Sequence, residues 1–283
     1  MSRITFINGK YVPHGESLIH IEDRGHQFSD GVYEVIHFKG TQFVDESLHL
    51  ERLQKSLKEL SISLPLSLEA LKIHMHRLVQ VNRVEEGYIY MQISRGIAAR
   101  DHAFPKKAQP SLTMMVRRCS FAPFQGIKVI TTKDQRWGRC DVKSVSLLPN
   151  VLAKQEAITR GAYEAWLVDE KGFVTEGCST NAWIVAGDIL LTAPESTGIL
   201  KGITRERLKN LASSLGFTVQ ERSFTVEQAY LSTEAFLSST NAPLLPIVQI
   251  NDRTIGTGKP GKVSLALRNA YEEFVKEELH QYV

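Results

Sequence analysis

Strand-like runs in this chain are joined mostly by short polar turns, and that ordering constrains the fold more than any other feature. Asn8-Gly9 lies between two strand-like pieces and is a dipeptide suited to the positive-φ positions of a tight hairpin. Residues 32–38 read as a strand, with Lys39-Gly40-Thr41 as the turn after it. Residues 164–168 and 172–175 flank Asp169-Glu170-Lys171 as one hairpin, and 181–185 with 189–192 form another. Successive strands joined by turns pair antiparallel, whereas parallel neighbours need a crossover, usually a helix. The expected class is therefore α/β of the α+β type, with mixed or antiparallel sheets.

Helices are fewer and marked by apolar spacing. Leu50, Leu53, Leu57 and Leu60 recur three and four residues apart, predicting an amphipathic helix over 47–60. Arg52 falls off that stripe, so its residue-level reading is a solvated face. A second helix follows Pro65, over 67–82, with Leu71, Leu78 and Val79 apolar; strands are expected over 88–94 and 112–116. The pattern breaks over 119–125, beside Ser120, Pro123 and Gly126, which suggests a linker between domains 1–118 and 126–283. Beyond it come a strand over 127–131, an ambiguous stretch over 141–145 and a helix over 147–159. A helix over 204–215 ends at Gly216, followed by strands over 234–237 and 245–250 and a terminal helix over 263–279.

Composition narrows the function classes. Thirty-four basic against 31 acidic residues give a net charge of only +3, with no basic stripe of the kind that tracks nucleic acid. No apolar run reaches the ~20 residues of a membrane span, and the first residues lack the pattern of a secretion signal. Cys119, Cys140 and Cys178 are odd in number and widely spaced, so a reducing, cytoplasmic setting is expected and no zinc spacing exists. His74 and His76 lie two apart on a helix and point away from each other, which argues against a metal pair. Neither GxxxxGK[ST] nor GxGxxG occurs.

Several residues could carry chemistry. Lys143 lies in a partly apolar stretch; burial would lower its pKa toward the neutral amine that Schiff-base chemistry requires. The commoner meaning of such a residue is a lysine whose stem packs and whose head reaches water. Glu176 follows an apolar run and precedes small polar residues, which fits a cleft carboxylate or, more ordinarily, a loop glutamate. Lys201-Gly202-Ile203-Thr204 opens a helix, where free N–H groups suit a phosphate and where a threonine is also a common cap. Ser238-Ser239-Thr240-Asn241 offers further hydroxyls or simply a turn. Arg100 and His102 could grip a carboxylate, or belong to an exposed loop.

Taken together, seven segments resemble the fold-type IV pyridoxal 5′-phosphate (PLP) enzymes, and most of all the D-amino acid aminotransferases. They are EDRGHQFSDGVYEV (22–35), HLERL (49–53), RGIAARDHAFP (95–105), RCDVKSVSLLPNVLAKQEA (139–157), VTEGCSTNAW (174–183), LKGITR (200–205) and SSTN (238–241), in order along nearly the whole chain. The lysine and glutamate segments stand 33 residues apart, as in that family. The resemblance implies a two-domain fold, with a smaller N-terminal α/β domain and a larger PLP-binding domain. It makes Lys143 the Schiff-base lysine and Glu176 the partner of the cofactor's pyridine nitrogen. Arg52, Ile203, Thr204, Ser239 and Thr240 would hold the phosphate, and Tyr33, Arg100 and His102 the substrate carboxylate. It further implies a homodimer in which the Arg100–His102 loop serves the neighbouring subunit. The expected reaction is transamination between a D-amino acid, by default D-alanine, and a 2-oxo acid, by default 2-oxoglutarate. A branched-chain L-amino acid aminotransferase and a 4-amino-4-deoxychorismate lyase are the alternatives of the same fold. Cys178 stands where the D-amino acid enzymes carry serine, and His26 is given no role.

Overall fold

The computed structural model describes residues 3–280, which fall into two compact units. Residues 3–120, 142–146 and 279–280 make the first; 121–141 and 147–278 make the second. The five-residue return of 142–146 to the first unit is not visible as a break in sequence pattern.

The first unit opens with β1 (Ile4–Ile7) and β2 (Lys10–Pro13), joined by Asn8 and Gly9 at φ 47° and 87°, the left-handed pair expected of that hairpin. There follow α1 (Arg24–Phe28), β3 (Gly31–Lys39), β4 (Gln42–Phe43), α2 (Glu46–Glu59), α3 (Leu68–Asn82), β5 (Glu86–Ser94) and β6 (Ser111–Arg118). The strands form an antiparallel sheet in the order β2-β1-β6-β5-β3-β4. Side chains alternate across it: Ile36 and Phe38 of β3, Ile89 and Met91 of β5, and Leu112 and Met114 of β6 turn inward. Leu50, Leu53 and Leu57 of α2 and Leu71, Met75 and Leu78 of α3 complete that core. Segment 142–146 lies against the start of β3. Ser144 bridges Val32, the Tyr33 N–H donates to the Lys143 carbonyl at 3.0 Å, and the Val145 N–H donates to that of Gly31 at 3.1 Å. The stretch that was ambiguous in sequence is thus a short extended graft on β3.

The second unit carries β7 (Ile127–Lys133), α4 (Leu148–Thr159), β8 (Glu164–Val168), β9 (Phe173–Gly177), β10 (Asn181–Ala186), β11 (Ile189–Thr192) and α5 (Ile203–Ser214). After these come β12 (Thr218–Glu221), β13 (Phe224–Thr225), α6 (Val226–Tyr230), β14 (Glu234–Ser238), β15 (Leu245–Ile250), β16 (Arg253–Thr254) and α7 (Lys262–His280). Its mixed sheet runs β12-β11-β10-β14-β15-β7-β8-β9-β13, with β16 paired to β15. The β15-β7 and β7-β8 pairs are parallel, and α4 crosses between the latter two and packs on β8. Trp166, Ile184, Leu191 and Phe224 fill one core of this unit, while Ala153 and Ala157 of α4 pack with Ala165 and Leu167.

Two element ends differ from expectation in ways that bear on the site. Strand β9 continues through Glu176 to Gly177, so Glu176 is a strand residue rather than a loop one. Helix α5 begins at Ile203 with Gly202 as its N-cap and no side-chain cap, so Thr204 is a buried residue inside the first turn and not the cap. The other end of α5 is as expected: Gly216 takes φ 84°, and the Gly216 and Phe217 N–H groups close back on the Ser213 and Ala212 carbonyls.

Candidate active site

In the first unit the polar residues collect around β3. Tyr33 and Glu34 are neighbours and therefore face opposite sides of the sheet. The Lys143 Nζ stands 4.3 Å from the centre of the Tyr33 ring, which itself stacks on Tyr90 at 5.7 Å. Lys143 is half-buried between buried Val142 and Ser144, and its backbone N–H donates to the Ser56 hydroxyl of α2 at 3.2 Å. Among its described contacts this amine meets an aromatic face and no carboxylate.

Glu34, fully buried, receives a forked contact from Arg52: Nε to Oε1 at 2.7 Å and Nη2 to Oε2 at 2.8 Å. The His49 Nδ1 lies 2.8 Å from Oε2. Arg52 is only 9 % exposed, which corrects the solvated-face reading. One face of α2 carries His49, Arg52 and Ser56, a polar line three and four residues apart that is neutralised by a carboxylate from the adjoining strand. Burial raises the Glu34 pKa, but Arg52 and His49 outweigh it and hold the carboxyl far below its ordinary value.

Arg100 and His102 gather elsewhere in this unit. The Arg100 guanidinium lies 5.1 Å from the Phe28 ring centre and the His102 ring 5.3 Å from it, both in exposed loop positions. Phe28 belongs to α1, a helix of five residues, too short to show as periodicity.

In the second unit Glu176 is the hub. Its carboxylate accepts from Arg136 Nη1, from Asn181 Nδ2 at 3.1 Å and from the Leu200 N–H at 3.2 Å. Arg136 is itself held by Asp134 through Nε at 2.9 Å and Nη2 at 2.8 Å, and donates to the Gly198 carbonyl at 2.9 Å. Asn181 also donates to the Leu200 carbonyl at 3.1 Å. A Cβ added at Gly202 would come within 2.0 Å of its Oδ1, so a larger residue at the start of α5 would displace the Asn181 amide. Asn181 thereby ties Glu176 to the segment leading into α5. It also sits opposite Ser238 in the β10-β14 pair, and the Ser239–Ala242 turn follows directly, closed by the Ser239 N–H on the Ala242 carbonyl at 2.9 Å. Glu176, Ile203, Thr204, Ser239 and Thr240 are thus gathered at one end of the second sheet.

Arg136 and Asn181 were given no role from sequence. Asn181 lies inside a segment that carried the resemblance, but an asparagine opening a strand has no pattern of its own. Arg136 is 40 positions from the carboxylate it contacts.

Burial pushes the Glu176 pKa up to about 7, although Arg136 and the Leu200 N–H pull it down. A carboxylate that still titrates near neutrality beside an arginine is in a site short of positive charge. A protonated pyridine nitrogen is a cation of the right kind to supply it. The α5 N-terminus, with no side-chain cap and with Thr204 in its first turn, offers the donors that a phosphate dianion requires. The residues present therefore fit a phosphorylated pyridine cofactor, and among the described residues no cluster could hold a metal ion.

A half-buried amine on an aromatic ring in one unit and, in the other, a buried carboxylate tuned by arginine near an uncapped helix start are the groups of an amine-transferring enzyme. The sequence model of class IV aminotransferases matches residues 31–250, and the chain belongs to that family. A D-alanine aminotransferase of Bacillus licheniformis is 37 % identical over 276 residues, covering 96 % of each chain. Another, of Staphylococcus epidermidis, is 36 % identical over 96 % of this chain and 97 % of its own. Among solved structures, a branched-chain amino acid aminotransferase complexed with N-(5′-phosphopyridoxyl)-L-glutamate superposes with a TM-score of 0.90. It is 27 % identical, over 99 % of this chain and 96 % of the other.

Proposed function

We propose that this aminotransferase uses PLP to exchange the amino group of a D-amino acid, D-alanine by default, with a 2-oxo acid, 2-oxoglutarate by default. The observation that carries the reading is full-length similarity, at 34–37 % identity, to proteins named D-alanine aminotransferase. It is supported by a competent residue at every proposed catalytic position. When bound, PLP supplies an electron sink for the charge left on Cα as its proton departs.

The chain's own residues then divide the work. Lys143 would hold the cofactor, and its Nζ would take the proton from the substrate Cα and return it, base and then acid. Glu176 as a carboxylate would keep the pyridine nitrogen protonated, with Arg136 and Asn181 fixing its orientation. Arg52, Ile203, Thr204, Ser239 and Thr240 hold the phosphate; Glu34 keeps the Arg52 guanidinium in one orientation. Tyr33, Arg100 and His102 would grip the substrate carboxylate, and a carboxylate held there would favour a D-substrate. In this reading the active enzyme is a cytoplasmic homodimer, the Arg100–His102 loop of each subunit serves its neighbour, and 119–125 is the linker between the two domains. Among the described residues no helix is long and apolar enough to cross a membrane.

Structural likeness to a branched-chain enzyme keeps one second reading in play, that of an L-amino acid aminotransferase. Mixing the PLP-loaded protein with D-alanine, and separately with L-leucine, while following the visible band of the cofactor distinguishes them. Conversion by D-alanine is expected; conversion by L-leucine alone overturns the D-specific reading. Lys143→Ala should retain cofactor absorbance but lose roughly 10²–10⁴ in the rate of that conversion, the usual worth of a positioned acid–base group. A variant that turns over like wild type removes Lys143 from the mechanism.

A further inference from the structure

The loop that bears Arg100 and His102 has no regular structure, and its residues from Ala99 to Phe104 are exposed. Such loops are ordinarily mobile and make poor templates for a ligand. This one is anchored from beneath. Arg24 of α1, only 3 % exposed, sends Nη1 to the Asp101 carbonyl at 2.5 Å and the Ala103 carbonyl at 3.3 Å, and Nη2 to the His102 carbonyl at 3.4 Å. One guanidinium therefore collects three consecutive carbonyls, using the planar fork that only arginine provides. Its Nε donates to Asp30 Oδ2 at 2.7 Å, so the buried charge is neutralised.

The same carboxylate accepts a fork from Arg95, at 2.8 and 2.9 Å, and the Arg95 guanidinium lies 3.6 Å over the Phe104 ring at the far end of the loop. Burial would raise the Asp30 pKa, but hydrogen bonds from Arg95 and Arg24 outweigh it, so the carboxylate stays charged. The side chains are set by a second feature. Phe28, one turn along from Arg24, touches the Arg24 guanidinium at 4.8 Å, the Arg100 guanidinium at 5.1 Å and the His102 ring at 5.3 Å. Gly25 makes the close approach possible: a Cβ there would meet the Ser94 Cβ at 2.8 Å, so α1 can lie flat on β5 only with glycine at that point.

We propose that Arg24 and Phe28 are positioning residues for substrate binding: Arg24 clamps the backbone of 101–103, and Phe28 is the platform on which Arg100 and His102 are held ready for a carboxylate. The inference rests on the reading that Arg100 and His102 grip the substrate carboxylate. Pre-ordering two long polar side chains removes from the binding step the cost of immobilising them.

The test uses the PLP-loaded enzyme and the half-reaction followed by the cofactor's visible band, with D-alanine and with D-alaninamide, which lacks the carboxylate. Arg24→Lys keeps a charge beside Asp30 and loses the fork; Phe28→Leu keeps the apolar volume and loses the ring. Each is expected to raise the half-saturating D-alanine concentration about tenfold, the effect of reordering a side chain on binding. The limiting rate and the half-saturating D-alaninamide concentration should stay within about twofold. In an Arg100→Ala background the D-alanine effect of Phe28→Leu should shrink to the share carried by His102, and with His102→Ala added it should vanish. Hydrogen exchange should rise over 97–104 in Arg24→Lys and remain unchanged in β3 and β5. If Arg100→Ala weakens D-alanine while Arg24→Lys and Phe28→Leu do not, the positioning proposal fails and the carboxylate reading stands. If both substrates weaken equally, the two residues are merely structural and the proposal fails. If Arg100→Ala leaves D-alanine unaffected, the carboxylate reading fails and takes the proposal with it.

Discussion

Two buried glutamate–arginine pairs, one in each unit, are tuned in opposite directions. Glu34 receives both Nε and Nη2 of Arg52 and a histidine besides, and its carboxyl is driven far below the ordinary range. Glu176 receives one nitrogen of Arg136, whose remaining donors serve Asp134, Thr175 and the Gly198 carbonyl, and its pKa is pushed up to about 7. The difference is how much of the arginine each carboxylate commands. A carboxylate with a whole fork is closed and structural. A carboxylate that shares its arginine with an aspartate retains an unmet demand for positive charge, which a cofactor's ring nitrogen can satisfy.

The largest expected effect comes from breaking the closed pair. Glu34→Ala leaves the Arg52 guanidinium buried without its carboxylate, and should cost about 3–5 kcal/mol in urea unfolding of the cofactor-free protein. A loss under about 1 kcal/mol, the range of an exposed pair, would mean that Glu34 and Arg52 are solvated in solution and would dissolve the contrast.

The pH dependence of stability comes next and separates the two glutamates by sign. The folded pKa of Glu176 is raised from 4.5 to about 7. Its contribution is therefore fully present below about pH 4.5 and is lost as the pH rises through about 7, about 3 kcal/mol in the cofactor-free protein. The folded pKa of Glu34 is depressed, so its contribution is present above 4.5 and is lost only as the pH falls through the lower folded value. Between pH 4.5 and 7 Glu176 contributes a falling slope, while His49, whose pKa burial lowers, and His76, whose pKa the Glu46 hydrogen bond raises, add their own slopes around 6.5. The share of Glu176 is the difference from Glu176→Gln: urea midpoints of the cofactor-free wild type should fall more across that window than those of the variant, and by less with PLP bound. A slope unchanged by that substitution would assign it to another group.

Much of the frame behind this contrast is legible in the sequence. The Asn8-Gly9 hairpin, the leucine stripe of α2 and the Gly216 stop of α5 are local, and each is written in a few adjacent residues. What is not legible is long-range and polar. Arg52 reads as surface because its neutralising partner lies on another element, 18 positions away. Segment 142–146 returns to β3 through a few backbone bonds that leave no periodicity, and α1 is only five residues long. The candidate residues themselves came from resemblance over seven segments. Spacing alone left Lys143 an ordinary snorkelling lysine and Glu176 a loop residue, whereas the fold makes Glu176 the end of a strand.

A smaller effect sharpens the contrast from within the second unit. Asn181→Ala removes a donor from Glu176 and should cost about 1.5–3 kcal/mol, the range for a hydrogen bond to a charged group. With one donor fewer the carboxyl should titrate higher still, moving the pH-dependent fall in stability upward. A midpoint that stays in place would mean that Arg136 alone sets the tuning.

The smallest effect concerns a third buried carboxylate, Glu164, which no arginine touches among its described contacts. It accepts from neutral donors, the Ala165 N–H at 3.0 Å, the Ser179 hydroxyl at 2.7 Å and the Cys178 thiol, with the Lys154 ammonium at 3.8 Å. These bonds hold the tight turn between Glu176 and Asn181, where a Cβ at Gly177 would lie 2.2 Å from the Thr180 hydroxyl. Burial, with Glu164 adding to it, pushes the Cys178 thiol up to about 12, so it stays protonated and donating. Cys178→Ser exchanges a weak donor for a stronger one of similar size, and the stability change should stay within about 1 kcal/mol, favouring serine if anything. Because the thiolate is the reactive form, Cys178 should also be the last of the three cysteines alkylated at about pH 8. Cys178 reacting first would show that the Glu164 brace opens in solution, and that the turn holding Glu176 and Asn181 in register is looser than the hydrogen bonds around it require.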